Sequence, residues 1–180
     1  MLYFGPVLAR WLAFLAAIFG SLLAGGMLLI RVVLVPIWQS AAPSEFRSWF
    51  RAYSDRTRRL MRPLGAASAA TATGSAVAQA VTADGAARVS SVTAAAAAVG
   101  VAAVTLAVNE PANARFVGDG LSDDETVALL ARWARWHDVR VALGVIGTLA
   151  AVRAVWAIGP YGRDRGVRVG RIHKLGLFRG

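Results

Sequence analysis

Long apolar stretches alternate with short polar ones along this chain, and the apolar stretches have the length of membrane spans. The run from Trp11 to Ile30 contains no charged residue, and twenty helical residues rise about 30 Å, the thickness of the hydrocarbon core of a bilayer. Three more apolar runs follow, of which the two middle ones are weakly hydrophobic because alanine, serine and threonine dominate them. The pattern predicts four transmembrane helices, at about 11–38, 64–83, 89–108 and 137–159.

The segment between the first two predicted spans, about 44–61, has aromatic residues every three or four positions. Phe46, Trp49, Phe50 and Tyr53 share one face of a helix, and arginines occupy the other face. This is the pattern of an amphipathic helix lying in the membrane interface. Two roles fit it: a basic helix that caps the bundle, since aromatic residues are common at headgroup level, or a lid over an apolar substrate that enters from the lipid.

The connection between the third and fourth spans carries helix-boundary signals. Pro111 cannot continue a helix interior, so we expect the chain to leave the membrane at about 109–113. Ser122, with Glu125 three residues later, forms the pattern of a capping box that starts a new helix. That helix can run from Asp123 into the fourth span without a break.

Composition supports a membrane protein, since 57% of the 180 residues are hydrophobic and only 17% are charged. The first apolar run continues past Arg31 to Trp38 and exceeds the core of a cleaved secretion signal, about 7–15 residues, so we expect an uncleaved anchor. The sequence therefore predicts an all-α integral membrane four-helix bundle with an interfacial amphipathic helix, forming one domain over 1–180. Because the chain has no cysteine, disulfides, thiolate metal sites and cysteine nucleophiles are excluded.

The net charge of +10 includes a basic tail at 161–180. In a soluble protein such a charge indicates nucleic-acid binding, but arginines that flank spans are ordinary determinants of topology and no nucleic-acid-binding motif accompanies them. The lipid bilayer, and not nucleic acid, is the expected partner, and an oligomer is compatible with the sequence. Basic residues are nearly balanced between the two sides of the predicted spans, so their count does not decide the orientation. We expect the inner membrane of a cell, with both termini in the cytoplasm.

The polar residues at the mouths of the last two apolar helices are the candidates for chemistry, because polar groups at the edge of a span are costly unless they pair or react. The candidates for a catalytic role are Asn109, Asn113, His137 and Arg140, and those for substrate binding are Glu110, Trp133 and Trp136. At about 100° per residue, the two tryptophans, the histidine and the arginine fall within an arc of about 100°. They therefore share one face of the last helix, and we expect them to meet the asparagines in one apolar cavity.

An apolar helix that ends in Asn-x-x-x-Asn (Asn109 and Asn113), followed by an acidic linker and then Trp-x-x-x-His-x-x-Arg (Trp133, His137, Arg140), resembles the anthrone-oxygenase-like family of small four-span membrane proteins. The layout is similar over nearly the whole chain, while the specificity lies in this motif pair. The resemblance implies oxidation of a polyketide anthrone to an anthraquinone, hence a small apolar aromatic substrate, with O₂ as co-substrate and no flavin or haem. The long basic tail and the alanine-rich middle spans depart from a generic member, and the substrate itself cannot be transferred.

The candidate residues suit such a reaction. An anthrone is weakly acidic at the methylene between its rings, and its carbanion can pass an electron to oxygen unaided. An imidazole has an ordinary pKa of about 6.5, so His137 suits the base, and Arg140 can hold the developing oxyanion. Asn109 and Asn113 can donate to a carbonyl or fix the imidazole tautomer, and the two tryptophans can stack against flat rings.

Each candidate also has a structural interpretation. His137 can be a headgroup-level histidine bonded to Asp138 or to a backbone carbonyl, Arg140 a lipid-phosphate contact, the tryptophans interface anchors and the asparagines helix caps. A metal site that uses His137, Glu110 and the asparagines is a second enzyme hypothesis, but one histidine falls short of the usual two-histidine-one-carboxylate set, so a metal-free site is favoured. A non-catalytic scaffold or accessory subunit, in which the polar cluster ties span three to span four, is the remaining alternative.

Overall fold

The computed structural model describes residues 4–82 and 85–158, and nearly all of these residues are helical. In chain order the elements are α1 (Phe4–Leu29), a first π-helical segment (Ile30–Leu34), α2 (Val35–Ser40), α3 (Pro43–Thr82), α4 (Gly85–Val104), a second π-helical segment (Thr105–Asn109), α5 (Glu110–Val117) and α6 (Asp123–Ala157). Because each π-helical segment continues the helix before it into the helix after it, the described chain forms four long helical rods. The predicted all-α helical bundle is confirmed.

Three of the four rods are long and apolar enough, by length and composition, to cross a membrane: Val7–Ser40, Gly85–Val117 and Asp123–Ala157. Many of their large apolar side chains are exposed, among them Leu29, Leu106 and Leu149, as is favourable where lipid replaces water. These features identify a membrane protein. The segment 64–83, predicted as the second span, is helical as far as Thr82. It does not belong to this apolar set, because small and polar residues dominate it. That it crosses the membrane stays a prediction.

The amphipathic helix predicted at 44–61 exists, but it is not a separate element. It continues through Pro63 into the segment 64–82, and the two together form the 40-residue helix α3, about 60 Å long. A proline inside a helix removes one hydrogen bond, here to the carbonyl of Arg59, and kinks a helix as readily as it ends one. Good helix formers on both sides of Pro63, mainly arginine, leucine, methionine and alanine, favour continuation.

The four rods pack in the cyclic order α1, α3, α4, α6, so that each contacts two neighbours extensively. Small residues let α6 approach closely: a Cβ at Gly144 would lie 2.6 Å from the Met27 Cε, and one at Gly147 would lie 3.0 Å from the Ala97 Cβ. In the absence of a strong hydrophobic force between helices in lipid, such close approach is a main source of association. The small-residue face of α6 therefore serves helix packing.

The aromatic face of the first half of α3 is buried inside the protein. Phe46 and Phe50 are 1% and 5% exposed, and both pack against Trp38 of α2 and against Phe116 of α5 with ring centroids 5.0–5.8 Å apart. Rings at these distances and steep angles gain edge-to-face attraction in addition to burial. Trp133 of α6 also packs against Trp38, with ring centroids 5.7 Å apart, so this aromatic cluster joins α2, α3, α5 and α6 at one end of the bundle, beside the cavity.

The helix-boundary predictions have different outcomes. The capping box is confirmed: the Ser122 Oγ accepts from the Glu125 backbone N–H at 3.2 Å, the Glu125 carboxylate accepts from the Ser122 N–H at 2.9 Å, and α6 continues unbroken to Ala157. Pro111, by contrast, does not end the preceding helix. It lies in the first turn of α5, directly after the second π-helical segment, and the helical rod continues through that segment to Val117. The predicted basic tail, 161–180, lies outside the described residues.

Candidate functional site

A cavity of about 350 Å³ lies between α3, α4 and α6 at the aromatic end of the bundle. Its walls are mainly apolar and are formed by residues that include Leu23, Trp38, Trp49, Phe50, Val101, Leu106 and Trp133. A smaller number of polar groups face it from α3, α5 and α6. Small-molecule sites occupy roughly 300–1,000 Å³ and combine apolar walls with a few polar groups in this way.

Five of the seven predicted site residues line this cavity: Glu110, Asn113, Trp133, His137 and Arg140. The side chain of Trp136 does not, and 39% of the residue is exposed. On α6 it points about 60° away from Trp133, so the cavity accepts only part of the predicted polar face. Asn109 is also outside the cavity lining; it is fully buried, and its amide has no hydrogen-bond partner among the described residues.

The imidazole of His137 is fully buried and held from both of its nitrogens. Its Nε2 lies 2.9 Å from the backbone carbonyl oxygen of Met27. Because a carbonyl oxygen can only accept, the Nε2 carries a hydrogen and donates it. In the neutral ring the Nδ1 then bears the lone pair, and the Arg140 Nη1, 3.4 Å away, donates to it. The structure thus assigns one tautomer, with its basic nitrogen beside a guanidinium.

The contacts of His137 differ from one prediction, that an asparagine fixes the imidazole tautomer, and agree with another, that the imidazole is bonded to a backbone carbonyl. Neither asparagine fixes the imidazole tautomer, because the carbonyl of Met27 does so from α1. The structural interpretation of His137 as a histidine bonded to a backbone carbonyl is therefore correct as to the partner, and the residue lines the cavity as well. Asp138, the other partner considered, forms an ion pair with Arg31 instead.

Trp133 places the imidazole plane. The two rings stack at 4.8 Å between centroids with only 10° between their planes, and Trp133 is 5% exposed. The indole Nε1 donates to the Asn113 Oδ1 at 2.9 Å. Asn113 on α5 therefore orients Trp133 on α6, which in turn supports His137 one turn further along the same helix.

The two π-helical segments flank the cavity. In each, the five-residue spacing of the hydrogen bonds widens the turn: the Val35 N–H donates to the Ile30 carbonyl, and the Glu110 N–H donates to the Thr105 carbonyl. Ile30 and Thr105 both line the cavity, and Met27 lies three residues before the first segment. Short π-helical segments are frequent at functional sites.

Arginines of α3 are the functional candidates that sequence reasoning missed. The Glu110 carboxylate forms ion pairs with Arg58 at 3.1 Å and with Arg62 at 3.4 Å, and both arginines line the cavity. Their spacing of four residues was a usable signal, since residues i and i+4 share a helix face. Trp38 and the backbone carbonyl of Met27 were also missed; for a backbone carbonyl no sequence signal exists.

The metal hypothesis has a poor set of ligands here. His137 uses the Nε2 for the Met27 carbonyl, and the Glu110 carboxylate is bound by two arginines. Within residues 4–82 and 85–158, no three histidine, cysteine, aspartate or glutamate side chains are grouped closely enough to hold a metal ion.

Comparison with known proteins identifies a family. The family model described as Anthrone oxygenase matches residues 49–150, a range that contains all seven predicted site residues. No curated protein and no solved structure matches the chain. The family match extends over more than half of the 180 residues, and the chain therefore belongs to the anthrone oxygenase family.

Proposed function

We propose that this protein is a membrane-embedded oxygenase that oxidises an anthrone-like aromatic substrate with O₂ in the cavity beside His137. One observation carries the proposal: in a chain of this family, a mainly apolar cavity is lined by an imidazole with an unprotonated Nδ1 and by a neighbouring guanidinium. These are the groups that base-assisted oxidation of an anthrone requires, namely a proton acceptor, a cation for the developing oxyanion and dry aromatic walls.

The reaction balances with O₂ as the only oxidant. The His137 Nδ1 takes a proton from the substrate methylene, and the resulting carbanion gives one electron to O₂. The carbon radical and superoxide combine, the imidazolium returns its proton to the peroxide, and the hydroperoxide loses water as the second carbon–hydrogen bond and the oxygen–oxygen bond break. The products are an anthraquinone and one water for each anthrone and O₂ consumed. The scheme uses no further cofactor.

The neighbours of His137 support its role as the base. The Met27 carbonyl accepts from the Nε2 and continues to do so in the imidazolium, which it stabilises as the Nδ1 gains its proton. Trp133 holds the ring plane by stacking. A base held rigidly in this way needs little reorganisation during proton transfer.

Arg140 supplies the positive charge. Its contact with the Nδ1 is long, at 3.4 Å, and its Nε has no hydrogen-bond partner among the described residues. A guanidinium forms a much stronger hydrogen bond with a negatively charged enolate oxygen than with the Nδ1 of a neutral imidazole. The proposal is that substrate binding draws Arg140 to this oxygen and leaves the Nδ1 free to act.

Location is part of the proposal. An apolar aromatic substrate dissolves in the bilayer, and two of the three helices that surround the cavity, α4 and α6, belong to rods apolar enough to cross a membrane. We propose the inner membrane of a cell as the location, with both termini in the cytoplasm; the basic residues are nearly balanced between the two sides of the predicted spans, so their count does not decide this orientation.

The test uses the purified protein in nanodiscs with a hydroxylated anthrone as substrate. The rate of oxidation is measured as O₂ uptake and as quinone absorbance, and the spontaneous rate without protein is subtracted. His137→Gln is expected to lower kcat at least about 100-fold, the usual effect of losing a general base. Trp136→Phe is the matched control, because Trp136 lies on the same helix outside the cavity lining. Wild-type protein without activity, or a folded His137→Gln variant with full activity, would refute the proposal and favour a scaffold whose polar cluster is structural.

A further inference from the structure

The charged side chains around the cavity are unbalanced. Arg58, Arg62 and Arg140 line it, and Glu110 is the only acidic residue among the described residues that do so. The same carboxylate binds both arginines of α3, at 3.1 and 3.4 Å. One carboxylate neutralises one guanidinium, so the cavity retains positive charge.

The position of this charge is restricted. Arg58 and Glu110 have side chains only 31% and 23% exposed, whereas the Arg62 side chain is 64% exposed. Of the two arginines, Arg58 is therefore partly withdrawn from solvent together with Glu110, whereas Arg62 is largely exposed. A charge that has lost part of its hydration gains strongly from a counter-ion, and guanidinium groups have spare N–H donors even when one carboxylate is bound.

The rest of the cavity has a different character. Trp38, Trp49 and Trp133 give it aromatic walls, and small residues of α3 and α4 complete its lining. The space accordingly has a flat, apolar part and a cationic edge. Arginine pairs are well suited to carboxylate and phosphate groups.

We propose that Arg58 and Arg62 recognise an acidic group of the substrate, so that the natural ligand is an aromatic acid with a polycyclic apolar body and a carboxylate. This inference rests on the proposed function, because it takes the ligand of the cavity to be the substrate of the oxidation. An anionic lipid offers a similar combination of charge and apolar surface, but a cavity of about 350 Å³ with aromatic walls suits a compact ring system better than two acyl chains.

The experiment compares two ligands of equal shape. Wild-type protein in phosphatidylcholine nanodiscs, without O₂, is titrated with an anthraquinone carboxylate and with the matching neutral carboxamide, and binding is followed by quenching of tryptophan fluorescence. The carboxylate is expected to bind at least about tenfold more tightly, as for a charge-assisted hydrogen bond. Arg58→Gln and Arg62→Gln are each expected to reduce this preference to about threefold or less, while affinity for the carboxamide, which reports an intact cavity, stays unchanged.

Arg59→Gln is the matched control. Arg59 lies between the two arginines on α3, its side chain is 82% exposed, and it pairs with Asp55 of the same helix. The variant is expected to keep the wild-type preference. Equal binding of the two ligands by the wild type, or loss of the preference in Arg59→Gln, would overturn the inference.

A lipid arm separates the two sources of negative charge. Phosphatidylglycerol added to the nanodiscs is expected to leave carboxamide binding unchanged. If it displaces this neutral ligand from the wild type and not from Arg62→Gln, the arginines bind a lipid phosphate and the inference is wrong. Because binding is measured without O₂, selective binding of the acid by a protein that oxidises no anthrone would refute only the proposed function. Oxidation of a neutral anthrone without any preference for the acid would refute only this inference.

Discussion

The Nε2 of His137 on α6 donates a hydrogen bond to the backbone carbonyl of Met27 on α1, 2.9 Å away. This single contact decides the chemistry of the imidazole, because it assigns the hydrogen to the Nε2 and leaves the lone pair on the Nδ1. It also joins two helices that lie far apart in the sequence. The tautomer and the packing of α1 against α6 are therefore linked.

The tautomer is directly measurable. In the chain labelled with ¹⁵N-histidine, we expect the neutral ring of His137 to show a protonated Nε2 and an unprotonated Nδ1, because only the Nε2 faces an obligate acceptor. The measurement is a long-range ¹H–¹⁵N correlation spectrum of the protein in nanodiscs. His173 is the other histidine of the chain, and His173→Asn identifies its signals. Protonation at the Nδ1 would contradict the assignment and remove the proposed base.

The bond between Trp133 and Asn113 predicts non-additive stability. Asn113→Ala leaves the buried indole N–H without its acceptor, and we expect the free energy of unfolding to fall by about 1–3 kcal/mol. Trp133→Phe removes the donor, so Asn113→Ala is expected to cost distinctly less in that background. Unfolding of the four proteins in mixed micelles with increasing denaturing detergent gives the comparison. Equal effects in the two backgrounds would show that the bond contributes nothing.

Two glycines provide a matched test of helix packing beside His137. A Cβ at Gly144 would lie 2.6 Å from the Met27 Cε and 3.4 Å from the Ala24 Cβ, whereas a Cβ at Gly25 would have no neighbour within 4 Å. Gly144→Ala is expected to destabilise the protein by about 1–3 kcal/mol through overpacking, because the Met27 side chain is fully buried and its Cε can move away only by displacing other buried atoms. Gly25→Ala is expected to leave stability unchanged or raise it by about 0.5–1 kcal/mol, since alanine favours the helix. The same unfolding assay measures both, and equal stability of the two variants would contradict the close approach of α1 and α6.

Local signals in the sequence anticipated much of the architecture. The apolar runs predicted the helices, because length and hydrophobicity are properties of the segment itself. The capping box at Ser122 and Glu125 located the start of α6, since its bonds lie within four residues. The helical spacing of Trp133, His137 and Arg140 placed these three on one face of α6, and all three line the cavity.

Other features were out of reach of local reasoning. The sequence predicted two separate elements, an amphipathic helix at about 44–61 and a span at about 64–83, yet α3 passes through Pro63 without a break. Pro111 indicated the end of a helix, and a π-helical segment carries the rod past it. A proline near the end of an apolar run is compatible with a helix that ends there and with one that continues past it. Which of the two occurs depends on what the next turn of helix packs against.

The sequence by itself determined which side chains share a helix face, because the helical repeat depends only on spacing along the chain. Tertiary structure alone decided which faces meet: how α6 is rotated about its axis excludes Trp136 from the cavity, how α3 is rotated brings Arg58 and Arg62 into it, and the approach of α1 brings the Met27 carbonyl to His137. The rotation of a helix about its axis is set by the fit of its side chains against neighbouring helices. That fit depends on residues distant in the sequence. The role of the Met27 carbonyl could not be predicted either, because every residue has the same backbone carbonyl.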